Sequence, residues 1–140
     1  MTDIIKIAQE VVDAFNASDW ERSKKPLKPN SLYDEVGTGR KLRGAGEIIP
    51  ALQGWKEAMP DVKGKITKSF AKDNTAVLEV TWEGTQTGPL KSSNGPIPAS
   101  GKHMSTPSAW VFEFDGDKIT ECRNYFDMLS MLRQLGAAPK

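Results

Sequence analysis

Apolar residues recur at three- and four-residue spacing near the start of the chain. From Ile4 to Phe15 they form one stripe, which predicts an amphipathic helix with Thr2 as its N-cap. A second, short helix begins after Ser18 and must end before Pro26, because a proline disfavours the helical conformation of the residue before it. The chain is therefore predicted to begin with two helices.

A strand and a third helix follow these two helices. Residues 31–36 predict a brief strand, and the apolar residues within 48–59 return to helical spacing. Because a proline costs least near a helix start, Pro50 places the beginning of this helix near Gly46. Pro60 ends it.

From residue 62 onward, apolar and polar residues alternate with the period of two that is typical of strands. The predicted strands cover residues 62–71, 75–83, 108–114 and 118–126. Turn residues at Asp73 and at Asp115-Gly116 join them in pairs. Proline and glycine are concentrated in residues 84–107, which predicts a long loop. A short amphipathic helix over 128–135 follows the last strand.

Helices followed by a run of antiparallel strands predict an α+β fold. We expect a cone-shaped α+β barrel, in which a curved antiparallel sheet packs one face against the N-terminal helices and encloses a cavity. The length of 140 residues suits a single domain over residues 1–140.

Composition and charge narrow the function. The net charge of +1 gives no field to attract nucleic acid, and no apolar run approaches the roughly 20 residues that span a bilayer. We therefore expect neither a nucleic-acid nor a membrane partner. One cysteine, Cys122, suits a reducing compartment, and we expect the protein in the cytoplasm. With one His and one Cys, a zinc site is not expected.

The last predicted strand carries side chains alternately on two faces. Glu121, Arg123 and Asp127 share one face, and Cys122 lies on the other. Two interpretations of the charged face remain open. It is either a solvated surface with ion pairs, or a pocket wall where an acid of raised proton affinity lies beside a guanidinium.

Five segments, in their order and spacing, carry a resemblance to a known family. They are YDEVGTGRKLRG from Tyr33, WKEAMPD from Trp55, WEGTQTG from Trp82, Gly101-Lys102, and DKITECRNYFDMLSMLRQLG from Asp117. Together they resemble the SnoaL-like polyketide cyclases, or ester cyclases, of the nuclear transport factor 2-like superfamily. The resemblance covers most of the chain from Tyr33 onward.

The resemblance implies a cofactor-free aldol condensation that closes a ring on a hydrophobic carbonyl substrate. Asp127 stands where these cyclases have their general acid/base, which predicts that its carboxylate points into the cavity. We expect no metal and no cofactor. The predicted substrate-binding residues are Tyr33, Trp55, Trp82, Gln86, Trp110, Arg123 and Tyr125.

Two departures from the family leave other functions open. Many relatives have His where this chain has Gln86, and Trp where it has Arg123. An epoxide hydrolase or a ketosteroid isomerase would need a second carboxylate, for which Glu35 and Glu121 are candidates. A non-catalytic ligand-binding or dimerisation module is favoured if Asp127 is solvated.

A homodimer is also expected, formed through the open side of the sheet. Val77, Val111 and Phe126 fall on the face of the strands that is turned away from the helices, and apolar side chains there favour a partner.

Overall fold

The computed structural model describes residues 3–92 and 95–138. The described helices are α1 Ile4–Asn16, α2 Trp20–Lys24, α3 Ala45–Ala58 and α4 Met128–Gln134. The described strands are β1 Leu27–Glu35, β2 Arg40–Arg43, β3 Lys63–Lys72, β4 Thr75–Thr85, β5 His103–Asp115 and β6 Lys118–Phe126. The α+β class is confirmed.

The six strands form one curved, unclosed sheet in the order β2-β1-β6-β5-β4-β3. Neighbouring strands are antiparallel except β1 and β6, which are parallel. The expected curved antiparallel sheet therefore contains one parallel pair, β1 and β6. Parallel strands need a long connection, and here it consists of everything between the two strands in the chain.

The helices cover one face of this sheet. α1 packs against β3 and β4, α3 against β1 and β2, and α4 against β5. α1 buries Ala8, Val12, Ala14 and Phe15, which follow the predicted stripe. Asp3 caps α1 by accepting a hydrogen bond from the Lys6 N–H, whereas Thr2 lies outside the described residues. None of the described helices is long and apolar enough to cross a membrane.

β1 begins at Leu27, four residues before its predicted start, and two further strands also differ from the predictions. β2 was not predicted, since its four residues, RKLR, show no apolar alternation. β5 begins at His103, five residues earlier than expected, despite Pro107. Its first residues pair with the end of β4, where His103 lies opposite Thr85. Pairing between strands overrides local propensity at both places.

A bulge sets which side chains of β6 face the helices. Glu121 pairs with Glu113, but Ile119 pairs with Phe114, so one residue of β6 is unpaired between them. Ile119, Cys122 and Asn124 are buried, whereas Tyr125 is exposed. The inner face of β6 therefore carries Cys122 and Asn124, and the charged residues lie outside.

Candidate functional site

A cavity lies between the inner face of the sheet and the helices. Its empty volume is about 490 Å³, which includes the solvent space at its mouth. Its lining is mostly apolar, and six of the thirteen lining residues are aromatic, namely Phe15, Tyr33, Trp55, Trp82, Trp110 and Phe126. Three methionines, Met59, Met104 and Met131, add apolar surface. Such a lining suits a largely apolar small molecule.

Three tryptophans in this lining differ in what their indole N–H groups contact. Trp55 Nε1 donates to Glu35 Oε2 at 3.0 Å, and Trp82 Nε1 donates to Ser108 Oγ at 2.9 Å. Trp110 Nε1 is buried and has no hydrogen-bond partner among the described residues. A buried donor without a partner is rare in a folded protein.

Glu35 is the fully buried carboxylate beside this cavity, at 0% exposure. Its Oε1 accepts from Thr38 Oγ1 at 2.6 Å and from Arg40 Nε at 2.7 Å. Its Oε2 accepts from the Tyr33 hydroxyl at 3.2 Å as well as from Trp55. Donors from four side chains, one of them a guanidinium, therefore surround the Glu35 carboxylate.

Tyr33 connects Glu35 to the cavity wall. Its hydroxyl donates to Glu35 and accepts from Asn124 Nδ2 at 3.1 Å. Burial, and secondarily the negative charge of Glu35, hold the pKa of the Tyr33 phenol well above its usual range. The phenol therefore stays protonated at neutral pH. Asn124 Oδ1, at the end of this chain of bonds, is buried without a partner among the described residues.

Four of the residues predicted to bind substrate line the cavity, namely Tyr33, Trp55, Trp82 and Trp110. Gln86 is buried but does not belong to the lining. Its amide nitrogen donates to the carbonyl oxygens of Ile97 and Pro98, and its Oε1 accepts from the Ser100 N–H. Gln86 therefore holds the loop after β4.

Arg123 and Tyr125 lie on the outer face, so their expected position in the cavity is wrong. Arg123 forms ion pairs with Glu113, at 2.7 Å, and with Glu121. A hydrogen bond from Thr75 and the Arg123 guanidinium hold the pKa of Glu113 below its usual value. Tyr125 is 43% exposed. The sequence left two interpretations of the charged face of β6 open. The structure agrees with the first of them, a solvated surface with ion pairs.

The expectation that Asp127 points into the cavity is also wrong. β6 ends at Phe126, and the exposed Asp127 carboxylate accepts the Ser130 N–H at 3.0 Å as the N-cap of α4. A cap must lie where the new helix begins, and this position is outside the cavity. Glu121 is held outside by Arg123, which leaves Glu35 as the second-carboxylate candidate near the cavity.

Asn124 and Thr106 also line the cavity, and sequence reasoning did not single them out. A signal for Asn124 was present, since it shares a face of β6 with the apolar Cys122 and Phe126. The bulky apolar neighbours identify that face as the inner one. Within residues 3–92 and 95–138, no group of three or more His, Cys, Asp or Glu side chains is placed to hold a metal ion.

Solved structures share this fold. A proposed SnoaL-like polyketide cyclase from Jannaschia sp. superposes with a TM-score of 0.86 at 17% identity, over 99% of this chain and 98% of that one. A hypothetical protein with a ketosteroid isomerase-like fold from Catenulispora acidiphila, in complex with trimethylamine, superposes with a TM-score of 0.81 at 18% identity, over 98% of this chain and 96% of that one. An LEH-like epoxide hydrolase from M. tuberculosis superposes with a TM-score of 0.71 at 21% identity, over 94% of this chain and 88% of that one.

These identities show a common fold and leave the activity open. No curated protein matches the chain. The sequence profile of the SnoaL-like polyketide cyclases, in contrast, matches residues 5–135, which is nearly the whole chain. The chain therefore belongs to the SnoaL-like polyketide cyclase family.

Proposed function

We propose that this protein binds a small, neutral, largely apolar molecule in the cavity. The observation that carries the proposal is the lining itself, in which six aromatic side chains surround a space beside the buried sheet face. Apolar and aromatic walls with a few polar groups are what small-molecule sites have in common. The exposed position of Asp127 favours binding over catalysis by that residue.

Charge complementarity supports a neutral ligand. Among the described residues that line the cavity, Tyr33 alone has a titratable side chain, and its phenol is protonated at neutral pH. Glu35 lies behind it, and its charge is already matched by Arg40 at 2.7 Å. A charged ligand would lose its hydration in this cavity without gaining a partner of opposite charge, which is costly.

Filling the cavity tests the proposal. Thr106 lines it, so Thr106→Phe should lower the affinity for acetophenone at least about tenfold, or about 1.4 kcal/mol. Binding is measured as quenching of tryptophan fluorescence, because three tryptophans line the cavity. Ser105→Phe is the control, since Ser105 is the exposed neighbour on the same strand.

Undiminished binding in folded Thr106→Phe would contradict the cavity as the site, and absence of binding to the wild type would contradict the function. If Thr106→Phe does not fold, Thr106→Leu introduces a smaller obstruction.

Acid/base ring closure without a cofactor is the second candidate, and the family match favours it. A base would remove the proton alpha to one carbonyl, the resulting enolate would attack a second carbonyl carbon, and the proton would return to the new alkoxide. Asp127, predicted from the family pattern, and the buried Glu35 are the carboxylates to compare. Epoxide hydrolase or isomerase chemistry would draw on the same Glu35.

Two sequence-based expectations accompany this proposal. We infer a homodimer formed through the outer face of the sheet, supported by the exposed Phe70 and Tyr125 there. A cytoplasmic location is supported by the free, buried Cys122.

A further inference from the structure

We propose that the ligand of the cavity is a neutral hydroxycarbonyl compound, whose carbonyl oxygen accepts from Trp110 Nε1 and whose neighbouring hydroxyl donates to Asn124 Oδ1. This inference rests on the proposed function and adds the polar chemistry of the ligand to it. Trp110 and Asn124 are then the residues that determine specificity, and Tyr33 and Glu35 act through Asn124 as positioning residues.

Two unpartnered polar atoms carry the inference. Trp110 is 5% exposed and Asn124 is 7% exposed, and both residues line the cavity. Trp110 Nε1 and Asn124 Oδ1 are the buried side-chain nitrogen and oxygen atoms of the described chain that have no partner. A buried donor or acceptor without a partner is costly, so a ligand that pairs these two atoms binds more tightly than one that does not.

The orientation of the Asn124 amide follows from Glu35. An ionised carboxylate only accepts hydrogen bonds, so the Tyr33 hydroxyl must donate its proton to Glu35. The Tyr33 oxygen is then left to accept, which turns Asn124 Nδ2 towards it at 3.1 Å. The Oδ1 atom of Asn124 is therefore the one left without a partner, and it requires a donor.

The two atoms belong to neighbouring side chains. Trp110 on β5 and Asn124 on β6 are direct cross-strand partners. Side chains at such positions lie side by side on one face, with Cβ atoms roughly 5 Å apart. From this register we infer that the acceptor and the donor of the ligand are also neighbours. A carbonyl with a hydroxyl on an adjacent carbon, or one further along, meets this requirement.

Four probes with the same carbon skeleton test the assignment. α-Hydroxyacetophenone carries both groups, acetophenone the carbonyl, phenethyl alcohol the hydroxyl, and ethylbenzene neither. Dissociation constants are measured by fluorescence quenching or calorimetry for the wild type and each variant. For each compound, the dissociation constant of the variant is divided by that of the wild type. This ratio cancels the effect of each probe's own hydrophobicity.

Each variant should affect a different pair of compounds. Trp110→Phe removes the N–H donor, and we expect it to weaken the binding of the two carbonyl compounds about fivefold more than that of ethylbenzene. Asn124→Leu removes the acceptor and should do the same to the two hydroxyl compounds. Trp82→Phe is the matched control, because Trp82 Nε1 already donates to Ser108. It should weaken all four compounds by one common factor.

Tyr33→Phe tests the positioning role. Without the Tyr33 oxygen, Asn124 Nδ2 loses its hydrogen-bond acceptor among the described residues, and the amide can turn to present either atom to the ligand. The preference for hydroxyl compounds should then shrink although Asn124 is still present. A purely structural role of Tyr33 would weaken all four probes equally.

The outcomes separate this inference from the function on which it rests. If none of the four probes binds to the wild type, the proposed function fails. If they bind but Trp110→Phe and Asn124→Leu weaken all of them alike, the function stands and the hydroxycarbonyl assignment is overturned. Should the variants not fold, the Trp110 indole N–H proton of the wild type must move further downfield with acetophenone than with ethylbenzene, because both probes carry the same benzene ring and only acetophenone offers an acceptor. Equal shifts with the two probes would overturn the assignment.

Discussion

Two carboxylates near the cavity have opposite surroundings. Asp127 is exposed and accepts one backbone N–H at the start of α4. Glu35 is buried at 0% exposure and accepts from Tyr33, Thr38, Arg40 and Trp55. The Asp127 carboxylate therefore faces solvent, whereas the Tyr33 hydroxyl lies between the Glu35 carboxylate and the cavity. We therefore propose the Glu35–Tyr33 pair as the first candidate for any acid/base chemistry in the cavity.

Substituting each carboxylate by its amide distinguishes these roles. Asp127→Asn keeps a good N-cap, so stability, binding and any ring-closing turnover should stay close to wild type. Glu35→Gln leaves Arg40 without its anion and should lower the free energy of unfolding by about 1–3 kcal/mol. If ring closure occurs, Glu35→Gln should also reduce turnover roughly 100- to 10,000-fold.

Thermal midpoint, ligand affinity and turnover are measured on both proteins. A large loss of turnover confined to folded Asp127→Asn would instead identify the exposed carboxylate as the acid/base, as the family pattern predicts.

At the scale of single residues, sequence predicted the cavity wall better than its chemistry. The alternation of β4 and β5 places Trp82 and Trp110 on the apolar face, because tryptophan gains most from burial. The chemistry of β6 depended on which of its two faces is the inner one. The family pattern pointed to the face of Asp127, while the apolar Cys122 and Phe126 pointed to the other. In the structure, the face that carries Cys122 and Phe126 is the inner one, and Asp127 is exposed.

The side chain and the backbone of Gln86 both bind the loop between β4 and β5. Gln86 bonds two carbonyl groups and one N–H of this loop, and its backbone pairs with Lys102 and Gly101. Leu90 and Ile97 pair with each other further along. A loop rich in proline and glycine is predictable from composition, but its attachment is not, since the partners of the Gln86 side chain lie up to 14 residues away along the chain. The same limit hid β2, which exists by pairing with β1.

Gln86→Leu tests this attachment. Leucine has nearly the same size, but it leaves the Ile97 and Pro98 carbonyls and the Ser100 N–H without their side-chain partner. We expect a loss of about 1–3 kcal/mol in stability and faster tryptic cleavage after the exposed Lys91. Acetophenone affinity should change little, because Gln86 is not part of the cavity lining.

Gln9→Leu, which removes a single bond to Ser69, serves as the control for a lost glutamine amide. Cleavage after Lys91 at the wild-type rate would show that the loop is held by other contacts.

For the whole molecule, the helices cover one face of the sheet and leave the other to solvent. On this outer face Phe70 lies opposite Val77, which lies opposite Val111 on the next strand, with Arg123 beyond it. Phe126 was expected there too, but it turns inward and packs against Trp55 with ring centroids 6.1 Å apart. The α+β class is predictable because it needs only the order of helices and strands along the chain. Which side chains lie on the outer face depends on strand register, which the sequence pattern alone does not give.

The row formed by Phe70, Val77 and Val111 supports the proposed homodimer, since a row of apolar side chains across a sheet is stabilised when a second copy covers it. Light scattering at micromolar concentration should give twice the chain mass of 15.4 kDa. Val77→Lys places a charge in the middle of the row and should give the monomer mass. Val36→Lys is the control, because Val36 is also an exposed valine, at 40%, but follows β1 rather than lying in the row. A wild type of 15.4 kDa, or a Val77→Lys dimer as stable as the wild type, would rule out this face as the interface.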